Sequence, residues 1–130
     1  MLTFPYLEKG KQSFPVVDIT LRSLRKVSLT LKALVDSGAT FSVFRAEVLE
    51  YLEIPLRRGR PLYLEGIGGR ILGYRHRIPA EVGGRKFLLT IVFSKELAIS
   101  FNLLGRDNFF YKFLVTFDEK NRRVRLKPNL

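Results

Sequence analysis

The sequence contains no cysteine and a single histidine. Without cysteine, neither a disulfide framework nor a thiolate zinc site can form, and a reducing, cytosolic setting is permitted. His76 has no second histidine or cysteine at ligand spacing, so we expect it to be structural or exposed and predict no metal site.

Long apolar runs are also lacking. The longest, FLLTIVF at 87–93, is too short to cross a bilayer, and the N-terminal segment carries Pro5, Glu8 and Lys9 where a signal peptide needs an unbroken apolar stretch. We therefore expect a soluble, cytoplasmic protein with no membrane partner. With 130 residues and 46% hydrophobic content, the chain should form a single domain over 1–130.

Acidic residues are few, with 12 Asp and Glu against 23 Lys and Arg, and the formal net charge is +11. Such a surplus attracts nucleic acid or acidic protein segments, and it also keeps a protein in solution. The basic residues form small groups, namely Arg57, Arg58 and Arg60, then Arg75 and Arg77, then Arg122, Arg123, Arg125 and Lys127. Since no long basic run occurs, we favour a solvated basic surface, and a nucleic-acid partner stays possible.

The dominant hydrophobic period is two, which is typical of half-buried strands. The pattern predicts strands at 27–35, 14–21, 60–66, 70–82 and 85–93, with Gly83-Gly84 as a hairpin turn. A second hairpin is predicted at 112–127. Only 45–52, which is stopped by Pro55, and a shorter turn within 105–113 look helical. We expect the aromatic residues Phe109, Phe110, Tyr111 and Phe113 to lie in the core rather than to stack on bases.

Three short motifs stand out in this mostly β chain. The first, Asp36-Ser37-Gly38, ends an apolar strand, where the glycine permits a tight turn. The second, Gly66-Ile67-Gly68-Gly69, joins two strand-like runs; it lacks the Lys-Ser/Thr of a phosphate-binding P-loop and the last glycine of a dinucleotide fingerprint. The third, NLLGRDNFF at 102–110, is an apolar strand that passes through Gly105 into a charged turn.

In this order the three motifs resemble those of the retropepsins, the aspartic proteases of retroviruses and retroelements with their cellular relatives. ALVDSGATFSVF at 33–44 is similar to the catalytic loop, EGIGGR at 65–70 to the tip of the flap, and 102–110 to the segment before the C-terminal helix. The resemblance covers about 14–113. It implies a small β-barrel-like acid protease domain with one or two short helices. The C-terminal hairpin at 113–127 follows this region and is predicted from the strand pattern, not from the resemblance.

The resemblance also implies an aspartic endopeptidase without a cofactor. Such an enzyme needs two carboxylates that share one proton around a water molecule, and this chain has one motif of the required kind. The implied site is therefore a symmetric homodimer in which each copy contributes Asp36. An extended, largely apolar peptide or protein segment would be the substrate.

Further roles follow from the same resemblance. Ser37 would hold the two catalytic loops in register, and Arg106 would brace the loop. Gly38, Ala39 and Thr40 would lie beside the substrate, and the flap would close over it; the flap residues are Gly66, Ile67, Gly68 and Gly69.

The sequence departs from the viral pattern at two points. Thr40 stands where viral members commonly carry an acidic partner for the arginine at Arg106, and the chain continues well beyond 113, so the dimer sheet is expected to differ.

Purely structural interpretations of the motifs stay open: Asp36 as a solvated turn residue, the glycines as an ordinary hairpin and Arg106 as a surface charge. The alternative functions are a non-catalytic peptide-binding module of the same fold and a basic nucleic-acid-docking protein.

Overall fold

The computed structural model describes residues 1–66 and 69–130 and shows a mostly β protein, which confirms the fold class expected from the period-two pattern. The strands are β1 (Leu2–Pro5), β2 (Leu7–Lys9), β3 (Gln12–Phe14), β4 (Val16–Arg22), β5 (Ser28–Val35), β6 (Ser42–Arg45), β7 (Arg60–Gly66), β8 (Gly69–Val82), β9 (Arg85–Ser94), β10 (Leu103–Leu104), β11 (Phe113–Asp118) and β12 (Arg123–Pro128). The helices are α1 (Ala46–Tyr51) and α2 (Phe109–Lys112), with one 3-10 turn at Leu56–Arg58.

The largest sheet nearly closes into a barrel. Its strand order is β4-β5-β10-β6-β9-β8-β7, and β4 also pairs with β8 through Thr20 opposite Glu81 and Leu21 opposite Ala80. All of its strands except β7 therefore form a ring, in which paired edges leave few backbone groups without partners. The expected barrel-like architecture is confirmed.

The inward-facing side chains alternate along the strands, as period two requires. Buried positions include Val17, Ile19 and Leu21 of β4 and Ile78, Ala80 and Val82 of β8. Each fully buried Leu or Ile side chain contributes about 1.5–3 kcal/mol relative to exposure. This core fixes the register of the strands, because a slip by one residue would turn every apolar side chain outward.

The two helices are short, and both end where the sequence predicts. In α1, Ala46, Val48 and Leu49 are buried, and the helix stops because Glu53 has a left-handed backbone (φ +59°) and Pro55 follows. α2 leads directly into β11.

The aromatic cluster around α2 is only partly buried. Phe109 and Phe113 are buried, but 74% of Tyr111 is exposed, so the core prediction is wrong for Tyr111. The reason is spacing: Tyr111 follows Phe109 by two residues in α2, which is about 200° around the helix, so it lies on the face opposite the buried Phe109.

A three-stranded sheet of order β1-β12-β11 covers one side of the barrel. The β11–β12 hairpin was expected, but β1 was not predicted; it pairs with β12 through Leu2 opposite Leu126. Within the described residues, the other edge of β11 has no strand beside it.

His76 is buried on β8, in agreement with a structural role. Its Nε2–H donates to the carbonyl oxygen of Leu56 at 2.8 Å, which holds the 3-10 turn against the barrel. Burial lowers the pKa of His76, the nearby Arg58 charge lowers it further, and the hydrogen bond to Leu56 raises it. Gly59 can only be glycine here, because a Cβ atom would lie 2.4 Å from His76 Nε2.

The turn between β8 and β9 is Gly83-Gly84, with φ of +56° and +84°, as the hairpin prediction required. Across 1–66 and 69–130, no helix has the length and apolar character that a membrane span would need.

Candidate active site

Asp36 directly follows β5 and begins a tight turn. Its backbone N–H donates to the carbonyl oxygen of Leu104 at 2.9 Å, and its carbonyl oxygen accepts from the N–H of Ala39 at 3.2 Å. Its carboxylate Oδ1 accepts from the N–H of Gly38 at 2.9 Å. Asp36 is half-buried, and its carboxylate is held by the turn that the strand-Asp-Ser-Gly pattern predicts; no ion pair to it is formed within the described part of the chain.

The segment that follows β10 runs beside this turn and fixes its second half. The N–H of Arg106 donates to the carbonyl oxygen of Ala39, and that of Asp107 to the carbonyl oxygen of Thr40, both at 2.8 Å. Phe41 and Asp107 form an isolated parallel bridge. We call residues 36–41 the catalytic loop from here on, after the retropepsin loop that 33–44 resembles.

Gly105 makes this close approach possible. A Cβ atom at Gly105 would lie 2.2 Å from the carbonyl oxygen of Phe41 and 2.9 Å from that of Ala39. The N–H of Gly105 donates to Ser42 Oγ at 3.0 Å, and Ser42 is completely buried. Sequence reasoning missed Ser42, although a serine between Phe41 and Val43 in an apolar strand is a signal for a buried hydrogen bond.

The side chains predicted to support the loop are exposed in the single chain. Ser37 and Arg106 are both exposed, and neither side chain has a hydrogen-bond partner among residues 1–66 and 69–130. Arg106 lines a small cavity of about 220 Å³ with Thr40, Asp107 and Tyr111. What braces the loop within one chain is therefore the backbone of Arg106 rather than its guanidinium.

The predicted flap is the β7–β8 hairpin, which we call the flap. Its strands pair from Arg60 opposite Arg75 to Gly66 opposite Gly69. Gly69 has φ +117°, which side-chain-bearing residues rarely adopt. Ile67 and Gly68, also predicted for the flap, lie outside the described residues.

Two side chains hold the base of the flap. β8 pairs with β9 only as far as Tyr74, and beyond that point Ser94 Oγ donates to the carbonyl oxygen of Leu72 at 2.6 Å. The N–H of Leu72 donates to Glu96 Oε1 at 3.3 Å. These two side-chain hydrogen bonds take the place of the backbone hydrogen bonds that β9 no longer makes to β8 beyond Tyr74.

A cavity of about 500 Å³ lies between the flap and the catalytic loop. It is large enough for several side chains of a bound peptide. Fifteen of the described residues line it: 38–41, Val43, 63–65, Gly69, Ile71, 96–99 and Leu103. The structure thus brings Gly38, Ala39 and Thr40 together with Gly69 at one cavity, whereas Asp36, Ser37 and Arg106 lie outside its lining.

Besides the flap and the catalytic loop, residues 96–99 form a third wall of the cavity, and this wall was not predicted from the sequence. It belongs to an irregular segment between β9 and β10 that gives no periodic signal. The Arg45 guanidinium donates to the carbonyl oxygen of Ile99, and the N–H of Arg45 donates to Asn102 Oδ1 at 2.8 Å. The apolar residues 97–99 are therefore held in place beside the cavity, which we also call the cleft.

Comparison with known proteins shows the family of the chain. The family model described as "Aspartyl protease" matches residues 23–107, which include the catalytic loop, the flap and Arg106. No curated protein matches the chain.

Solved structures show the same fold. Among 184 matching chains is the EIAV protease complexed with the inhibitor HBY-793, with a TM-score of 0.57 and 20% sequence identity. The alignment covers 78% of this chain and 89% of the EIAV protease chain. At this level of identity the likeness shows the fold alone.

Proposed function

The chain belongs to the retropepsin-like aspartyl protease family, and from this premise we propose that it is a homodimeric aspartic endopeptidase whose site contains Asp36 from each of two copies. The observation that carries the proposal is the position of Asp36: its carboxylate accepts from the N–H of Gly38, and Gly38 lines the cavity between the catalytic loop and the flap. The family match and the fold support a protease-like function, and the dimer and the paired carboxylates are the proposed part.

The second copy is required by the chemistry. Peptide hydrolysis by this route needs one ionised and one protonated carboxyl group at the same water molecule. Two carboxylates about 3 Å apart cannot both ionise, so the pair would titrate as a unit. Asp18 and Asp107, the other aspartates near the motifs, lack the Asp-Ser-Gly turn. A two-fold axis beside Asp36 supplies the missing group.

The proposed reaction proceeds in two steps. The ionised Asp36 takes a proton from water as the water oxygen bonds to the carbonyl carbon of the peptide, and the protonated Asp36 of the other copy donates its proton to the carbonyl oxygen. The Asp36 that took the water proton then gives it to the nitrogen of the tetrahedral intermediate, while the other Asp36 takes a proton from one of its hydroxyl groups. The C–N bond breaks to leave a carboxylic acid and an amine, and the pair again holds one proton.

The other site residues have proposed roles around this centre. Ser37 would bond across the axis to the other loop, for which its exposed hydroxyl is available. Gly38, Ala39 and Thr40 would contact the substrate from below, and Gly66 to Gly69 would contact it from the flap. In the dimer Arg106 would find a partner that the single chain does not provide within its described residues.

The exposed edge of β11 supports a second copy on this side of the molecule. β11 follows α2, and Tyr111 of α2 lines a small cavity with Thr40 of the catalytic loop. Leu114 is 52% exposed and Phe117 is 38% exposed along this edge. An open strand edge with exposed apolar side chains pairs readily with another strand, so the C-terminal hairpin would join the two copies.

The test compares wild type with Asp36→Asn on a peptide mixture, with Asp18→Asn as the matched control, since Asp18 is an exposed aspartate on β4. Loss of one acid–base group should lower kcat/KM by about 10²–10⁴-fold, whereas the control should cleave like wild type. Equal cleavage by Asp36→Asn and wild type would rule the proposal out, and peptide binding without cleavage would favour the binding module.

A mixing experiment tests the dimer separately. If copies exchange at random and both carboxyl groups are needed, an equal mixture of wild type and Asp36→Asn keeps about a quarter of the activity of the same total amount of wild type, against about a half if each copy worked alone. Sedimentation of the same samples gives the fraction that is dimeric. Full activity per wild-type chain in the mixture would contradict the shared site.

A further inference from the structure

The charge of the cleft is opposite to that of the protein. The chain carries 23 Lys and Arg and a net charge of +11, yet none of these cations is among the described residues that line the cavity of about 500 Å³. The two charged residues in that lining are Glu65 and Glu96. The cleft can therefore attract a positively charged side chain, which most of the surface of this basic protein would repel.

We propose that the cleft selects peptides in which one lysine or arginine stands among apolar residues, and that Glu96 binds the basic side chain. This inference rests on the proposed protease function and adds the class of its substrate. Glu96 would act as a specificity-determining residue, outside the proton transfers at Asp36.

Glu96 is held in place before any substrate arrives. Its N–H donates to Ser94 Oγ at 3.0 Å, and Ser94 is buried. Its Oε1 accepts from the N–H of Leu72 at 3.3 Å, while Oε2 has no partner within the described part of the chain. Glu96 is exposed, so this hydrogen bond orients its side chain without locking it, and the other carboxylate oxygen stays available to a substrate.

The surroundings of Glu96 suit the whole of a lysine or arginine side chain. Leu97, Ala98 and Ile99 continue the same wall and are apolar. The methylene groups of a basic side chain can pack on such a surface while the charged end reaches a carboxylate. An apolar substrate side chain in the same place would remove water from Glu96 and offer it no partner, which is unfavourable.

Glu65 is the weaker candidate. It pairs across the flap with Arg70, whose guanidinium lies 4.3 Å from the centre of the Tyr63 ring and forms no ion pair with Glu65 in residues 1–66 and 69–130. Arg70 nevertheless brings positive charge next to Glu65. Lys95 is adjacent to Glu96 in sequence, but it does not line the cavity.

The net charge limits the substrate to few basic residues. A surface of +11 repels a polybasic peptide over distances of about 10 Å at 0.1 M salt. The local attraction by Glu96 acts only after the peptide has entered the cleft. Peptides with one basic side chain should therefore be cleaved faster than those with several at low salt.

The experiment uses peptides that share one apolar sequence and differ at a single position, which carries Lys, Gln or Glu and is moved along the peptide. For the full-length wild type we expect one position at which Lys raises kcat/KM about tenfold over Gln, the size of one close charge contact. Glu96→Gln, which still offers an acceptor to Leu72, should bring this ratio close to one. Glu96→Lys should make Glu the preferred residue.

The matched control is Glu50→Gln, since Glu50 is exposed on α1 and does not line the cavity. It should keep the wild-type ratio. The inference is overturned if wild type cleaves with dependence on Asp36 but shows a ratio near one at every position, or if Glu96→Gln keeps the ratio.

Failure of the protease proposal is recognised separately. If wild type cleaves no peptide, the proposed function fails, and the same peptides are then compared by fluorescence anisotropy binding. Tighter binding of the Lys peptide that is lost in Glu96→Gln supports the basic-residue site, and equal binding of the Lys and Gln peptides rejects it.

Discussion

The catalytic loop and the flap face the same cavity but are held in different ways. The loop is fixed by backbone hydrogen bonds to β10 and the residues after it, through Asp36, Ala39 and Thr40. The flap has β7 as an outer strand with β8 as its neighbour, and beyond Tyr74 its base depends on side chains of Ser94 and Glu96.

This difference agrees with the roles that the proposed function gives to each region. A carboxylate that shares a proton with another must keep its position within a fraction of an ångström, and backbone hydrogen bonds in a barrel provide that precision. A flap must open to admit a peptide, and a hairpin with few tertiary contacts opens at low free-energy cost. The strongest and weakest parts of the site can therefore be disrupted separately.

Gly105→Ala should have the largest effect, because it disrupts the catalytic loop, the more rigid of the two regions. The new methyl group would lie 2.2 Å from the carbonyl oxygen of Phe41, where only backbone could give way. We expect the free energy of unfolding to fall by about 3 kcal/mol, with loss of activity. Urea denaturation measures the change in the free energy of unfolding. Gly10→Ala, with φ +63° but open space around Cβ, should cost only about 1 kcal/mol, and equal losses would contradict the contact argument.

Ser94→Ala should act on the flap and on the neighbouring Glu96, and leave the catalytic loop unchanged. It removes the hydrogen bond to the carbonyl oxygen of Leu72 and the one from the N–H of Glu96, and should cost about 1–2 kcal/mol of stability. We expect KM to rise more than kcat falls, and amide hydrogens at 69–73 to exchange faster while those of 36–39 stay protected. Hydrogen-exchange mass spectrometry reads both regions, with exposed Ser100→Ala as control. Faster exchange in both regions would show that they open together.

His76→Gln should change how stability depends on pH. Burial lowers the pKa of folded His76, so the unfolded chain binds the proton first as the pH falls below the ordinary value of about 6.5. Wild-type stability should therefore decline from neutral pH toward pH 5, and the decline should be smaller in the variant. Thermal melts across this range test it. An identical pH dependence would mean that His76 does not titrate differently on folding.

Asp18→Asn should have the smallest effect and sets the baseline for the outer surface. Its ion pair with Lys32 is 2.8 Å long, but both side chains are about half exposed. Such a pair contributes about 0–1 kcal/mol, and salt screens it. We expect a shift in the free energy of unfolding below 1 kcal/mol with unchanged peptide cleavage. A larger loss would show that β4 and β5 depend on this pair for closure of the barrel.

Much of the fold could be predicted because it depends on local patterns. The period-two pattern predicted the main strands, Gly83-Gly84 predicted a hairpin, and Pro55 predicted the end of α1. Each of these signals acts through the backbone of its own segment. Tyr111 was misplaced because aromatic residues were counted without helical phase. β1 was missed because its pairing with β12 joins the two ends of the chain.

The sequence by itself determined that a strand ends in Asp36-Ser37-Gly38 and that a glycine hairpin follows, because turn chemistry is encoded in neighbouring residues. Only the tertiary structure decided that Gly105 and Ser42 fix the loop, that Ser94 and Glu96 hold the flap, and that acidic residues line the cleft of a basic protein. These contacts join segments distant in sequence, and their partners are set by how the barrel closes rather than by any local preference.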